Sequence, residues 1–319
     1  KHYFHSDNDS SSLSNNFLNC IYVDSKGTLW AGTNGSGISK FNKKKETFQN
    51  FMLPAHKDSL FHNNSIWCIT EDDQSNLWLG TFGGGLKYFD TKTSSVISYK
   101  NLSQSQLEQG CTDIRKIFVN KDGTLWIAAY DGGLFHFDPK TKKIQSIDLT
   151  DGMGKIQAMS LLSQDGILWI GTYKNGAFRL DVQTKKVQRF LHNSSNNEFG
   201  QGEFIRDIEI NNSQFNSIWF TVWNKGIVKL DVNNDRTEYY VHQSDNIKSI
   251  ASNAVLAMFI DRSNLIWVGS YKSGLSRFNP NSEKMESVKL NDSIVSGLSK
   301  GSILGIHESN SKVYLVSGN

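Results

Sequence analysis

The chain consists of short segments in which apolar and polar residues alternate, separated by clusters of turn-forming residues. One stretch shows the whole pattern: apolar-rich segments at 65–70, 77–81, 86–90 and 96–99, with polar or Gly-rich turns between them. Alternation with a period of two, enriched in β-branched and aromatic residues, predicts β-strands. No apolar stripe of helical period and length competes with it. The pattern therefore predicts an all-β chain made of four-stranded units.

These units repeat along the whole chain. Six pairs of an aliphatic residue followed by Trp recur at regular intervals, with tryptophan spacings of 48, 48, 43, 50 and 48 residues, and Tyr314 follows 47 residues after the last. The six pairs are Leu29-Trp30, Leu77-Trp78, Leu125-Trp126, Leu168-Trp169, Ile218-Trp219 and Ile266-Trp267. Short strands repeating at this period are typical of propeller blades. We predict one domain over residues 1–319, a seven-bladed β-propeller of four-stranded antiparallel blades.

The repeated tryptophans are predicted to have a structural role. One large ring at the same place in every blade fits packing between neighbouring blades. Cys20 and Cys68 also occupy equivalent positions, ten residues before their tryptophans. We expect small buried thiols that fill gaps between blades.

The two ends of the chain suggest how the last blade is built. Residues 1–5 have the character of an outermost strand, and the seventh repeat contains only two strand segments before residue 319. We expect the N-terminal strand to join the seventh blade, which stays incomplete within this chain. The chain is then expected to be a fragment of a larger protein.

Composition and motifs exclude several functions. A net charge of +3, with 34 basic and 31 acidic residues intermixed, does not favour a nucleic-acid partner. No apolar run approaches the ~20 residues that cross a bilayer, so no membrane contact is expected of this fragment. Nucleophile-elbow, zincin, P-loop and Cys/His zinc motifs are absent from the sequence. We expect a chain that is not an enzyme and has no cofactor and no metal, although two carboxylates could still converge across blades.

A column of mostly aromatic residues follows the second strand of the repeats. Its members are Asn34, Phe82, Tyr130, Tyr173, Trp223, Tyr271 and Gly318. Polar or cationic residues often follow, as at Asp131, Lys174, Asn224-Lys225 and Lys272. Ring faces stack on sugars and ammonium groups hold acidic substituents, so this column is a candidate ligand surface. Packing between blades is the alternative.

A second column lies early in the first strand, near the same face of the propeller. It reads Asn19, Trp67, Arg115, Gln157, Arg206, Leu256 and Leu304. A residue that only the repeat requires should be alike in every blade, whereas this column varies. Arg115 and Arg206 are therefore candidate contacts at the channel mouth, with an ion pair such as Arg206 with Asp207 as the alternative. The predicted ligand-binding residues are Arg115, Tyr130, Tyr173, Lys174, Arg206, Trp223, Lys225, Tyr271 and Lys272.

The repeat itself resembles a known family. With SNN at 14–16, CIYVD at 20–24, GTLWAGT at 27–33 and GISKFN at 37–42, it is similar to the two-component regulator propeller repeat. The resemblance covers essentially the whole chain, in six good copies and one degenerate copy. It implies the periplasmic sensor region of a Bacteroides-type hybrid two-component system. There, two such propellers precede a β-sandwich, a transmembrane helix, a histidine kinase and a response regulator.

That resemblance also implies a function for the fragment. Such sensors recognise oligosaccharides released from a glycan, so the expected ligand is an oligosaccharide, acidic or neutral, bound without catalysis. Expected partners are a second propeller and the sandwich domain of the same protein, and a homodimer is a further option. The alternatives are a protein-protein interaction platform without a small ligand and a propeller lyase or glycoside hydrolase.

Overall fold

The computed structural model describes residues 1–53, 64–99, 110–150, 152, 154–191, 204–210, 217–246, 249–282, 284–288, 301–309 and 312–318. Their regular structure consists of the strands β1 to β26. They pair into six four-stranded antiparallel sheets and one two-stranded sheet, the blades of an all-β propeller. Nowhere in the described ranges is there a helix long and apolar enough to span a membrane.

Blades 1 to 3 follow one another in chain order. Blade 1 contains β1 (Leu18–Val23), β2 (Leu29–Thr33), β3 (Ile38–Asn42) and β4 (Thr47–Phe51). Blade 2 contains β5 (Ile66–Glu71), β6 (Leu77–Thr81), β7 (Leu86–Phe89) and β8 (Val96–Ser98). Blade 3 contains β9 (Ile114–Val119), β10 (Leu125–Ala129), β11 (Gly133–Asp138) and β12 (Lys143–Ile147).

The remaining blades continue the same order. Blade 4 contains β13 (Ala158–Gln164), β14 (Ile167–Thr172), β15 (Ala177–Asp181) and β16 (Val187–Phe190). Blade 5 contains β17 (Ile205–Ile210), β18 (Ser217–Val222), β19 (Gly226–Asp231) and β20 (Arg236–Tyr240). Blade 6 contains β21 (Val255–Ile260), β22 (Ile266–Ser270), β23 (Leu275–Asn279) and β24 (Lys284–Ser287). Blade 7 contains β25 (Ser302–Ser309) and β26 (Lys312–Gly318).

The chain divides into two compact units, and the boundary passes through blade 4. We call Tyr3–Ile170 with Phe178–Gln188 the N-terminal unit, and Lys1–His2, Gly171–Ala177 and Arg189–Asn319 the C-terminal unit. In the N-terminal unit the first strands β1, β5, β9 and β13 lie side by side, and in the C-terminal unit β17, β21 and β25 do the same. Each unit is thus a series of blades packed face to face.

The repeated tryptophans pack between blades. Trp30 is 1% exposed, and its ring lies 5.7 Å from that of Phe89 in the next blade. Trp219 is fully buried, and its ring lies 5.7 Å from that of Phe278, also in the next blade. The predicted structural role of these rings is confirmed.

A turn aspartate orients the indole in two of the blades. Asp24 accepts the Thr28 N–H at 2.7 Å through Oδ1 and the Trp30 Nε1–H at 2.9 Å through Oδ2. In blade 6, Asp261 bonds the Trp267 indole in the same way at 2.8 Å. The carboxylate therefore joins the hairpin turn to the ring that packs on the neighbouring blade.

The cysteines fill space between blades, as predicted. The Cys20 thiol lies 3.8 Å from the Ile66 carbonyl oxygen of blade 2. Cys68 is buried, and burial raises the pKa of its thiol to about 12. Burial also raises the pKa of the Cys20 thiol. Both groups therefore stay protonated near neutral pH and act as packing groups.

The structure corrects the expectation for the N-terminus. Residues 1–6 form no strand, and in the described part of blade 7 β25 pairs with β26 alone. The ring of Tyr3 instead packs edge-on against Phe41 and Phe48 of blade 1, at 5.0 and 5.6 Å. The Phe48 N–H also donates to the Ser11 carbonyl at 2.6 Å. This segment adheres to blade 1 because an aromatic cluster and an unpaired strand edge are available there.

The same segment has the hydrogen bonds of a link between blades. The His5 N–H donates to Asn16 Oδ1 at 2.6 Å, and His5 Nδ1 bonds the Leu13 carbonyl at 2.6 Å. In the link between blades 5 and 6, His242 bonds Asn253 Oδ1 at 2.6 Å and the Ile250 carbonyl at 2.7 Å. The two histidines thus fasten their links by identical bonds.

One difference between the links gives a prediction for pH. The bond to the Leu13 carbonyl and a second bond, from Nε2 to Asp7 Oδ1 at 3.0 Å, raise the pKa of His5 above its ordinary 6.5. Because the pKa of His5 is higher in the folded protein, the stability that these two bonds contribute is fully present below pH 6.5. That stability is lost as the pH rises through the folded pKa. We expect Asp7→Asn to lower the midpoint of the His5 ring titration measured by NMR. The wild type is the reference, and an unchanged His5 midpoint would show that Asp7 has no such effect.

Candidate functional site

The variable column of the first strands coincides with a structural irregularity. In six blades the first strand carries a β-bulge, and the extra residue is Asn19, Trp67, Arg115, Arg206, Leu256 or Leu304. A bulge leaves its extra residue unpaired and re-aims its side chain. The positions that differ most between blades are therefore those that the pairing of β-strands constrains least.

The aromatic column lies beside the start of the same first strands. The Tyr130 N–H donates to the Asp113 carbonyl at 2.8 Å, and the Trp223 N–H donates to the Phe204 carbonyl at 3.0 Å. The same bond joins Tyr271 to Ala254 at 2.8 Å. Because each acceptor lies two residues before the extra residue of a bulge, the two columns are close together within each of these blades.

In the C-terminal unit, four aromatic rings form a continuous series. The rings of Tyr173 and Phe204 are 5.7 Å apart, those of Phe204 and Trp223 are stacked at 5.4 Å and 12°, and Tyr271 meets Trp223 edge-on at 5.8 Å. We call these four residues the aromatic line. Its first three rings are half-buried and Tyr271 is 43% exposed, so the rings keep accessible surface.

Two lysines flank the aromatic line. Lys174 Nζ lies 4.8 Å from the centre of the Tyr173 ring, and Lys272 Nζ lies 5.1 Å from that of Tyr271. Both side chains are exposed. Both residues also have left-handed backbones, with φ of 71° and 51°, which glycine adopts at lower cost. The loops thus carry a cation at a position where the backbone favours glycine.

The other two predicted cations of this unit are less exposed. Lys225 and Arg206 are half-buried and have interaction partners of their own. Asp207, next to Arg206, accepts the Met258 N–H of blade 6 at 3.3 Å and donates its own N–H to Thr221 Oγ1 at 2.8 Å. This part of β17 is therefore held by contacts within the unit, and it borders the aromatic line through Phe204.

The remaining predicted residues, Arg115 and Tyr130, belong to a separate cluster in the N-terminal unit. The Arg115 guanidinium carbon lies 4.2 Å from the Trp67 ring centre and 5.1 Å from that of Tyr130. Arg115 Nη2 donates to Asp113 Oδ2 at 2.7 Å, in a pair whose side chains are 15% and 10% exposed. Burial raises the pKa of Asp113 even though Arg115 opposes the shift.

Several polar atoms of this cluster lack a partner. Among the described residues, Asn19 Nδ2, Trp67 Nε1, Arg115 Nε and Asp113 Oδ1 are buried and make no hydrogen bond. Leaving one such group unsatisfied costs about 1–3 kcal/mol. Two donors and one acceptor of this cluster are thus without a partner, and Asn19 Nδ2 in blade 1 is a third unpartnered donor.

A cavity of about 270 Å³ in the N-terminal unit is less suited to a ligand. It is lined by residues 132–133, 146–150, 152 and 154–156. Its carboxylate, Asp148, accepts the Thr150 N–H at 2.8 Å and the Gly152 N–H at 2.7 Å. These backbone bonds lower the pKa of Asp148, and the bond from Thr150 has the largest effect. They also direct the carboxylate onto its own loop.

Two of the repeats match a known family in sequence. The family described as "Two component regulator propeller" matches residues 12–35 and 60–83. These two segments are thus similar to two-component regulator propeller repeats. The two matched repeats cover the bulges at Asn19 and Trp67, whereas all nine predicted ligand-binding residues lie outside them. Among curated protein sequences, no match to the chain is found.

Solved structures show the same propeller fold. One is the extracellular domain of BT4673 from B. thetaiotaomicron, assigned as a hybrid two component system, with a TM-score of 0.57 and 20% identity over 94% of this chain. Another structure of that domain, assigned to a one component system, gives 0.58 at 20% identity. The extracellular domain of BT3049 from the same organism gives 0.54 at 18% identity over 99% of this chain. The chain spans only 45–46% of those solved chains.

Proposed function

We propose that this chain is a non-catalytic sensor propeller in the periplasmic region of a hybrid two-component regulator. It binds a glycan-derived oligosaccharide that carries an acidic group. The repeats and the likeness to extracellular domains of such systems support the sensor role and the location. The chain covers less than half of those domains, which supports further domains of the same protein as its partners.

The observation that carries the proposal is the aromatic line with its two lysines. The face of an aromatic ring has partial negative charge, which attracts the C–H groups of a sugar ring. Rings in series offer successive stacking positions to a chain of sugars. Lys174 and Lys272, at the two ends of the line, can each pair with a carboxylate or sulfate.

The line also suggests how binding is transmitted. Its rings come from the Tyr173 loop, from Phe204 and Trp223 of blade 5 and from Tyr271 of blade 6. A ligand that touches all of them favours one arrangement of these elements over others. Such a difference in affinity between two arrangements shifts their populations, and the neighbouring domains and the kinase respond to that shift.

The test is calorimetric titration with neutral and acidic oligosaccharides, using wild type and Lys174→Gly/Lys272→Gly. We expect the wild type to bind acidic oligosaccharides more tightly than neutral ones. The double variant should bind the acidic ligands about tenfold more weakly than the wild type. Affinity for neutral ligands should not change. Stability should also stay the same, because glycine relieves the left-handed backbone while adding entropy to the unfolded chain.

Two results would contradict this proposal. One is equal affinity for acidic and neutral oligosaccharides in the wild type. The other is the absence of any oligosaccharide binding together with stoichiometric binding of a protein, which would favour an interaction platform. Raising the salt concentration should lower the affinity for acidic ligands more than that for neutral ligands, since exposed charges are screened.

A further inference from the structure

The first strands of blades 1 to 3 start with buried polar atoms that have no partner. We propose that Asn19, Trp67, Asp113 and Arg115 form a second binding site, which takes the adjacent hydroxyl groups of a neutral sugar or polyol. This site goes beyond the proposed function, because its residues lie in the N-terminal unit and none belongs to the aromatic line.

The hydrogen-bonding capacity of the site matches hydroxyl groups. Trp67 Nε1 and Arg115 Nε can only donate, and Asp113 Oδ1 can accept. A hydroxyl both accepts and donates, so two adjacent hydroxyls can satisfy these three atoms together. The amide nitrogen of Asn19, at the equivalent bulge of the neighbouring strand, offers a further donor.

The charge of the site disfavours an anion. The Arg115 guanidinium already holds Asp113 at 2.7 Å, so the pair has no net charge. The unpartnered oxygen of Asp113 would repel a carboxylate or sulfate at the same place. A neutral ligand avoids that repulsion and still receives bonds from donors on Trp67 and Arg115.

The site is held in place before a ligand arrives. Arg115 lies against the rings of Trp67 and Tyr130, and its ion pair fixes the direction of the guanidinium plane. The bulges at Trp67 and Arg115 release both side chains from the alternation of their strands. A ligand therefore meets polar groups that are already ordered, which lowers the entropic cost of binding.

The experiment follows the indole N–H of Trp67 by NMR, with the resonance assigned by its loss in Trp67→Phe. Maltose, lactose, cellobiose and sorbitol serve as neutral probes, and glucuronic acid serves as the acidic probe. We expect at least one neutral probe to shift this resonance in a saturable way. Trp67→Phe keeps a ring against Arg115 but removes the donor, so it should weaken that probe about threefold to tenfold.

Asp113→Asn tests the charge argument. It removes the negative partner of Arg115. The variant should therefore bind glucuronic acid about tenfold more tightly than the wild type does. If this variant is unfolded, Trp67→Phe still decides the question. Tyr271→Ala, in the aromatic line, is the matched control and should leave the response of Trp67 unchanged.

The outcomes separate this proposal from the proposed function. If no neutral probe shifts the Trp67 resonance, the unpartnered atoms serve no ligand of this class and the proposal is wrong. The proposal also fails if Trp67→Phe binds the probe as tightly as wild type, or if wild type prefers glucuronic acid at this site. Loss of acidic oligosaccharide binding in the lysine variant tests the aromatic line alone.

Discussion

Replacing Trp219 with alanine is expected to lower the free energy of unfolding by about 3–5 kcal/mol, the usual cost of truncating a fully buried tryptophan. The Trp219 ring is 0% exposed and lies 5.4 Å from Tyr240 and 5.7 Å from Phe278. Its removal opens a gap between blades 5 and 6 that the rigid strands cannot close. Urea unfolding monitored by circular dichroism measures the change.

Trp223, four residues along the chain, is the matched comparison. It is half-buried and belongs to the aromatic line, so Trp223→Ala should cost less stability than Trp219→Ala. By contrast, its affinity for the oligosaccharide should fall about tenfold or more, as at other aromatic contact residues. If the two variants lose equal stability, or if Trp223→Ala binds normally, the division between packing and binding tryptophans is wrong.

Gly80→Ala is expected to lower the free energy of unfolding by about 1–3 kcal/mol through overpacking. A Cβ atom at Gly80 would lie 2.5 Å from Cys68 Sγ and 2.6 Å from Ile114 Cγ2 of blade 3. In blade 3 the corresponding residue is Ala128, which faces the exposed Lys116 instead of a thiol. The equivalent glycine–thiol pair in blade 1 is Gly32 with Cys20, whose Sγ would lie 2.5 Å from a Cβ at Gly32.

Two further variants make the Gly80 prediction specific. Gly305→Ala is the control, because its Cβ would be 3.6 Å from the nearest atom, Val316 Cγ2. Gly80→Ala combined with Cys68→Ala should recover part of the loss, since one of the two close contacts disappears. Equal destabilisation by Gly80→Ala and Gly305→Ala in urea would show that loss of glycine itself, not crowding, is responsible.

The sequence predicted the blades well because their signals are local. Alternation along a strand and turn residues at its ends depend on neighbours in the chain, and the tryptophan period follows from them. The N-terminal segment was predicted wrongly for the same reason. Its sequence is that of an outer strand and link, but its position depends on the distant partners Phe41 and Phe48.

The ligand-binding role of the nine residues stays a prediction, but part of the aromatic line could be found in the sequence. Aligning the repeats singled out Tyr173, Trp223 and Tyr271, which the structure brings into one line. It missed Phe204, because the equivalent position is Phe17 in blade 1 but Ser65 in blade 2 and Asp113 in blade 3, so no consistent column of aromatic residues is visible.

The polar cluster was also predicted only in part. Asp113 was missed, and unpartnered atoms such as Arg115 Nε depend on three-dimensional geometry that no spacing contains. The single-domain prediction over residues 1–319 stays a prediction.

The repeated bulge separates the pairing of the strands from the identity of the side chain, which most β-sheets link at every position. Since the extra residue takes no part in strand pairing, exchanging it leaves the backbone pairing of β9 with β10 and of β17 with β18 intact. With the binding role proposed above for these positions, recognition could be altered one blade at a time without changing the pairing of the strands. Grafting a new set of side chains onto the bulges, with Leu256 and Leu304 as the apolar starting points, would make this fold a programmable receptor.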